Sequence, residues 1–154
     1  ILGVGFDGTD QGDITGLQLS LFDVSDLKAP KRIHQAPLGE GFGWSEATFD
    51  HKAFLYWGKT KLAVLPVESY TWDEVSMTES QFAGAIGYTI DAQTGITPVG
   101  QIEHAVEPQN PDEYNWLPPI RRSMVIGDRV LTLSDIGLKA SLLGDLSDVA
   151  FIEF

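Results

Sequence analysis

The apolar segments of this chain are short, closely spaced and stopped by turn residues, and that pattern constrains the fold more than any other feature. LQLSLFDV (Leu17 to Val24), KAFLYW (Lys52 to Trp57), KLAVLPV (Lys61 to Val67), FAGAIGYTID (Phe82 to Asp91) and RVLTLSD (Arg129 to Asp135) alternate or run apolar for strand-like lengths. Gly, Asp, Asn or Pro bounds them. ILGVGF, KRIHQAPL, EATFD, TPVGQIEH, RRSMVIG, LKASLL and VAFIEF read the same way. Only ESYTWDEVSMTE (Glu68 to Glu79) leaves room for a turn or two of helix, with Tyr70 and Trp72 as a weak apolar face. The expected fold class is all-β.

Two internal similarities order these strands. FDHKAFLYWGKTKLAVL (Phe49 to Leu65) resembles IGDRVLTLSDIGLKASL (Ile126 to Leu142): a polar turn with a basic residue, an apolar strand, a second turn and another strand. LSLFDVSDLKAPKRI, GYTIDAQTGITPVGQI and ASLLGDLSDVAFI share a strand, a turn rich in Asp, Ser or Gly, and an outer strand. These are the inner and outer halves of four-stranded antiparallel blades. A blade cannot bury both faces alone, and radial stacking into a β-propeller solves that problem. The expected division is a partial blade over residues 1–42, a blade with an insertion over 43–106 and a final blade over 107–154. Between Ser45 and His104 there is one strand too many. A β-sandwich would use the same short strands.

With 154 residues, 43% of them hydrophobic, the chain can bury a core. It contains no cysteine, which excludes disulfides and Cys-ligated metals. No apolar run is long enough to span a membrane as a helix, and no signal-peptide pattern opens the sequence. The formal charge is −12, from 22 acidic and 10 basic side chains, and no Lys or Arg occurs from Leu62 to Ile120. Such a surface repels nucleic-acid phosphates and reads first as a solvated acidic face, second as a site for a cation or basic partner. The start within ILGVGF, without an initiator Met, leads us to expect a fragment of something longer.

TGLQLSLFDVSDLKAPKRI, GWSEATFDHKAFLYW, LAVLPV, FAGAIGYTID and PPIRRSMVIGDRVLTLSDIGLKASLL together resemble the secreted prokaryotic proteins with a C-terminal β-propeller domain distantly related to WD40 repeats. LSLFDVSD, SEATFDHKAFL and RRSMVIGDRVLTLSD with GLKA carry the likeness most specifically. It implies the last blades of a longer propeller, exported and displayed at or beyond the cell surface. It carries no enzymatic activity to named positions. Where members of that family tend to show a D-x-D-x-N-G loop, this chain has Asp7-Gly8-Thr9-Asp10-Gln11-Gly12.

The motifs with chemical meaning are few. GVGFDG (Gly3 to Gly8) spells the G-x-G-x-x-G dinucleotide fingerprint, but that motif works only where the glycines open a helix, and a hairpin loop is expected here. The same loop offers Asp7, Asp10 and Asp13 as calcium ligands. Counted from Asp7 as an EF-type loop, Thr9, Gln11 and Gln18 stand where stronger ligands belong, so a weak site or a plain turn is expected. GWSEA around Ser45 lacks the last glycine of a nucleophile elbow. His34, His51 and His104 show no zinc spacing. Paired carboxylates for glycoside hydrolysis are a matter of spatial separation, which the sequence does not give.

EPQNPDEYNWLPPIRR (Glu107 to Arg122) joins two blades and is Pro-rich, aromatic and acidic. Tyr114 and Trp116 are candidates to stack on a sugar or peptide, or to pack on a blade rim. Arg121 and Arg122 complete the candidate binding set, with pairing to carboxylates of a neighbouring blade as their expected task. Trp44, Tyr56, Trp57 and Trp72 are expected between blades. The functional expectation is a binding or scaffolding module with a protein or polysaccharide ligand. An extracellular hydrolase and a calcium-stabilised surface protein are the alternatives. Open edges of terminal blades should lead to self-association or require the rest of a propeller.

Overall fold

Three antiparallel sheets follow one another along the chain in the computed structural model, which describes residues 1–104 and 116–154. The first contains β1 (Leu2–Gly8), β2 (Ile14–Asp23) and β3 (Lys31–Pro37), in that order. The second contains β4 (Phe42–Trp44), β5 (Leu55–Trp57), β6 (Leu62–Asp73), β7 (Thr78–Asp91) and β8 (Gly95–Glu103). The third contains β9 (Arg122–Ile126), β10 (Arg129–Ser134), β11 (Gly137–Leu142) and β12 (Asp148–Glu153), each beside the next.

The surplus strand of the middle sheet has a simple origin. β6 is 12 residues long, and two short strands share one of its edges: β5 lies opposite Leu62 to Val64 and β4 opposite Glu68 to Tyr70. Pro66 falls in the gap between them and has no N–H to leave unpaired, while its carbonyl accepts the Ser45 hydroxyl at 2.5 Å. The chain crosses this gap through two 3₁₀ turns, Glu46–Thr48 and His51–Ala53, capped by Ser45 and Asp50. EATFD, expected as a strand, is therefore largely the first of these turns. Ser45 and Asp50 each accept a backbone N–H two residues on, which favours a turn over a ladder.

ESYTWDEVSMTE is also not helical. Residues 68–73 extend β6, 78–79 open β7, and the two strands stay in register to the tip at Asp73 and Thr78. Thr, Tyr and Trp favour strands. The Asp73 carboxylate accepts from Val75 N and Ser76 N, at 2.8 and 3.0 Å, and Met77 takes a left-handed φ of 55°, which closes the hairpin. GVGFDG likewise ends β1 and leads through a loop into β2, with no helix for a pyrophosphate to sit on.

The middle sheet is buried on both faces. From Leu62 to Val67 every residue of β6 is buried. Ala63, Leu65 and Val67, with Ile86, Tyr88 and Ile90, pack on Leu17, Leu19 and Leu21 of the first sheet. Leu62 and Val64, with Ala85 and Ile102, pack on Ile120, Val130 and Leu146 toward the third. Full burial of a side chain such as Leu65 contributes about 2 kcal/mol relative to leaving it exposed. Just beyond β8, His104 is 1% exposed and sits between the hydroxyls of Ser134 and Thr132 on β10, at 2.8 and 2.9 Å. Sheet stacked on sheet in sequence order is the arrangement that radial blades require.

Of the four aromatics expected between blades, only Trp57 lies against a buried cluster. Trp44, Tyr56 and Trp72 are 38, 47 and 56% exposed. Trp44 and Tyr56 belong to the short edge strands of the middle sheet, and Trp72 to the end of the long hairpin. Among the described residues no helix is long and apolar enough to cross a membrane, which does not bear on spanning by strands.

Candidate functional site

One face of β6 changes chemistry along its length. Side chains alternate across a strand, so Leu62, Val64, Pro66, Glu68, Tyr70 and Trp72 share the face turned toward the third sheet. Its first part is buried by that sheet. Farther along, the face opens into a cleft of about 280 Å³ lined by Trp44, Glu68, Tyr70, Gln81, Phe82 and Trp116. β4 supplies its side wall, because register sets Trp44 opposite Glu68 and Phe42 opposite Tyr70. Gly43 permits that approach, since a Cβ there would lie 2.3 Å from the Glu68 carbonyl oxygen.

The walls are exposed aromatics. Phe42, Tyr70 and Trp116 are each close to half exposed. Phe42 and Tyr70 rings lie 5.8 Å apart and tilted, and Trp44 stacks on Phe49 at 5.8 Å and 6°. Glu68 is half-buried among them. Its burial pushes the carboxyl above the usual carboxylate range, against the opposing pull of the Arg121 charge and the Trp44 side chain. A Trp-lined, partly desolvated carboxylate is suited to binding.

A charge network borders the cleft through a narrow gap lined by Trp44, Glu46, Glu68, Pro119 and Ile120. Arg122 donates to Glu46 and to Asp50 at 2.8 Å each, while Arg121 pairs with Glu46 at 3.4 Å and with Asp135 at 3.6 Å. The Asp50 carboxyl is held below its usual range, first by the Lys52 backbone N–H and then by Arg122. Both arginines are thereby tied to the helical turns of the middle sheet. Trp116 lies in the cleft beside Leu117, and Tyr114 lies outside the described residues.

The calcium candidates occupy the first hairpin, remote in sequence from this cleft. Asp7 caps the backbone N–H of Gly8 at 3.0 Å, and the Thr9 hydroxyl, not a carboxylate, accepts from Gln11 N and Asp13 N. Among the described residues no three His, Cys, Asp or Glu side chains are gathered as a metal would need, so Asp7, Asp10 and Asp13 do not form such a group. Ser45 is buried with its hydroxyl bonded to Pro66 O and Ala47 N, which leaves it a capping residue and no exposed nucleophile.

A larger groove, about 580 Å³, runs between the first and second sheets past Gln35, Pro37, Tyr88, Ile96 and Pro98. The Tyr88 hydroxyl is spent on the Pro37 carbonyl at 2.9 Å, and the groove brings no comparable cluster of aromatic and ionised groups. Trp44, Glu68 and Tyr70 were not singled out from sequence as one site. The alternation LAVLPVESYTW holds the signal once residues 68–73 are read as strand.

Comparison with known proteins adds one match. The family model described as the beta propeller domain matches residues 1–146. Neither the curated proteins nor the solved structures contain a match. Stacked antiparallel sheets and a match over nearly the whole sequence agree: the chain belongs to the β-propeller domain family.

Proposed function

We propose that this chain is the binding module of a secreted or cell-surface protein, and that its ligand, a protein or polysaccharide, sits in the cleft of Trp44, Glu68, Tyr70 and Trp116. The observation that carries the reading is the concentration of large aromatics at a partly desolvated carboxylate. Aromatic side chains left half exposed around a concave surface cost solvation and offer flat, rigid contact area. The acidic surface suits an exported module, as does the resemblance to secreted propeller proteins.

Catalysis has less support. The side chains nearest to chemistry, Ser45 and the Glu46 carboxylate, are engaged in a cap and in arginine pairs. The test is Trp emission recorded while dextran, a lysine-containing peptide and a glutamate-containing peptide are titrated separately. A saturable change with any of them, lost in Trp44→Ala and Trp116→Ala, supports the reading. No saturable change with all three, or a change the substitutions leave intact, overturns it.

A further inference from the structure

The cleft also specifies its ligand by charge. Glu46, Asp50, Glu68 and Asp135 outnumber Arg121 and Arg122 in and beside it, so the locality is net negative after its internal pairs are made. Both guanidiniums are engaged by carboxylates other than Glu68. A half-buried carboxylate with indole and phenol faces around it is the arrangement that favours a cation, because the ring quadrupoles and the carboxylate act in the same direction. Within this chain the Lys59 ammonium already lies 5.3 Å from the Trp57 ring centroid.

The kind of cation follows from Trp44. Register places it directly opposite Glu68 across the β4–β6 pair, so the indole flanks the carboxylate on one side of the cleft. A guanidinium binds a carboxylate best through both oxygens at once, whereas an ammonium acts as a point charge. No Lys or Arg between Leu62 and Ile120 competes for the site, and a chain of net charge −12 attracts a basic polypeptide from a distance. We infer that the cleft receives a lysine side chain of a partner polypeptide, its ammonium against Glu68 and its stem between Trp44, Tyr70 and Trp116. This rests on the cleft being the binding site.

The experiment uses the 154-residue chain and four probes: an unstructured peptide of alternating Lys and Gly, its Arg counterpart, tetramethylammonium, and the neutral oligosaccharide cellohexaose. Calorimetry or Trp emission gives each affinity, with circular dichroism to show that variants stay folded. The expectation is that the Lys peptide binds more tightly than the Arg peptide. Glu68→Gln should weaken it roughly tenfold, as loss of a charged hydrogen bond does. Trp116→Phe should retain more binding than Trp116→Leu. If cellohexaose binds and the Lys peptide does not, the lysine assignment is overturned while the cleft stands as a site. Preference for the Arg peptide or for tetramethylammonium, or no effect of Glu68→Gln, also overturns it. If none of the probes binds, the lysine assignment is overturned, and the dextran and glutamate-peptide titrations decide whether the cleft reading falls with it.

Discussion

Nδ1 of His104 lies 2.8 Å from the Ser134 hydroxyl, and this contact ties the end of the second sheet to β10 of the third. Thr132 closes on the other ring nitrogen, and Phe151 meets the ring edge-on at 5.1 Å between centroids. Burial, with the Lys139 charge next, pushes the imidazole down to about 4. The folded protein therefore takes up this proton at lower pH than the unfolded chain, whose histidine titrates near 6.5.

Stability from His104 is fully present above about pH 6.5 and is lost as pH falls toward 4, by an amount on the order of 3 kcal/mol if the ring stays neutral throughout. Urea unfolding of the native chain and of His104→Gln at pH 7 and pH 5 checks this. The native chain should lose more stability between the two pH values than the variant does. Carboxylates contribute equally to both, so equal losses would contradict the assignment.

Arg122 spans two acidic partners that lie on successive 3₁₀ turns, Glu46 and Asp50. Arg122→Ala should lower the melting temperature by a few degrees at most, a modest effect because the guanidinium is partly exposed and solvent screens it. Arg122→Lys should restore less than half, since one ammonium cannot hold two carboxylates in a fork. The difference between Arg and Ala should shrink in 1 M salt; a salt-independent difference would point instead to lost packing of the side-chain stem.

The β1–β2 loop is held by Thr9, which accepts two backbone N–H groups. Thr9→Ala should lower the melting temperature by a few degrees, the effect of about 0.5–1 kcal/mol. Asp10→Asn should leave it unchanged. With no gathered ligand set, melting should be the same in excess calcium and in chelator; a rise of several degrees with calcium would show binding to the folded state.

Sequence made the sheets legible because Leu17, Leu19 and Leu21, or Val130, Thr132 and Ser134, alternate where one face is buried. It failed where local chemistry competed with pattern. EATFD has strand composition, yet Ser45 just before it and Asp50 at its end each cap a 3₁₀ turn. Residues 68–73 show only a weak apolar face because Glu68 and Tyr70 line an open cleft and Trp72 stands exposed at the end of the hairpin, none of them against a core. Trp116, Arg121 and Arg122 fall within or beside that cleft, but Trp44 and Glu68 join them only through the pairing of β4 with β6, which no local motif announces. His104 was invisible for the same reason: its partners lie about thirty residues on.

The outer face of the third sheet predicts how this chain behaves in solution. Register puts Met124, Ile126, Leu131, Leu133, Leu138 and Ile152 on the side turned away from the middle sheet. Met124, Ile126 and Ile152 are 45, 59 and 62% exposed. The opposite end of the stack, the outer face of the first sheet, carries Gly3, Gly5, Gln18 and Phe22, with Ser20 buried among them. No atom stands within 4 Å of where a Cβ on Gly5 would lie, so that face is open to a neighbouring sheet. A second copy can therefore dock head to tail, its first sheet on the third sheet of its neighbour, and such a contact uses different faces and does not stop at two. Light scattering should show a mass that rises with concentration. Met124→Asp with Ile152→Asp should reduce it to monomer, and so should Gly5→Glu on the complementary face. A monomer at every concentration would mean that these faces are not sticky enough to pair.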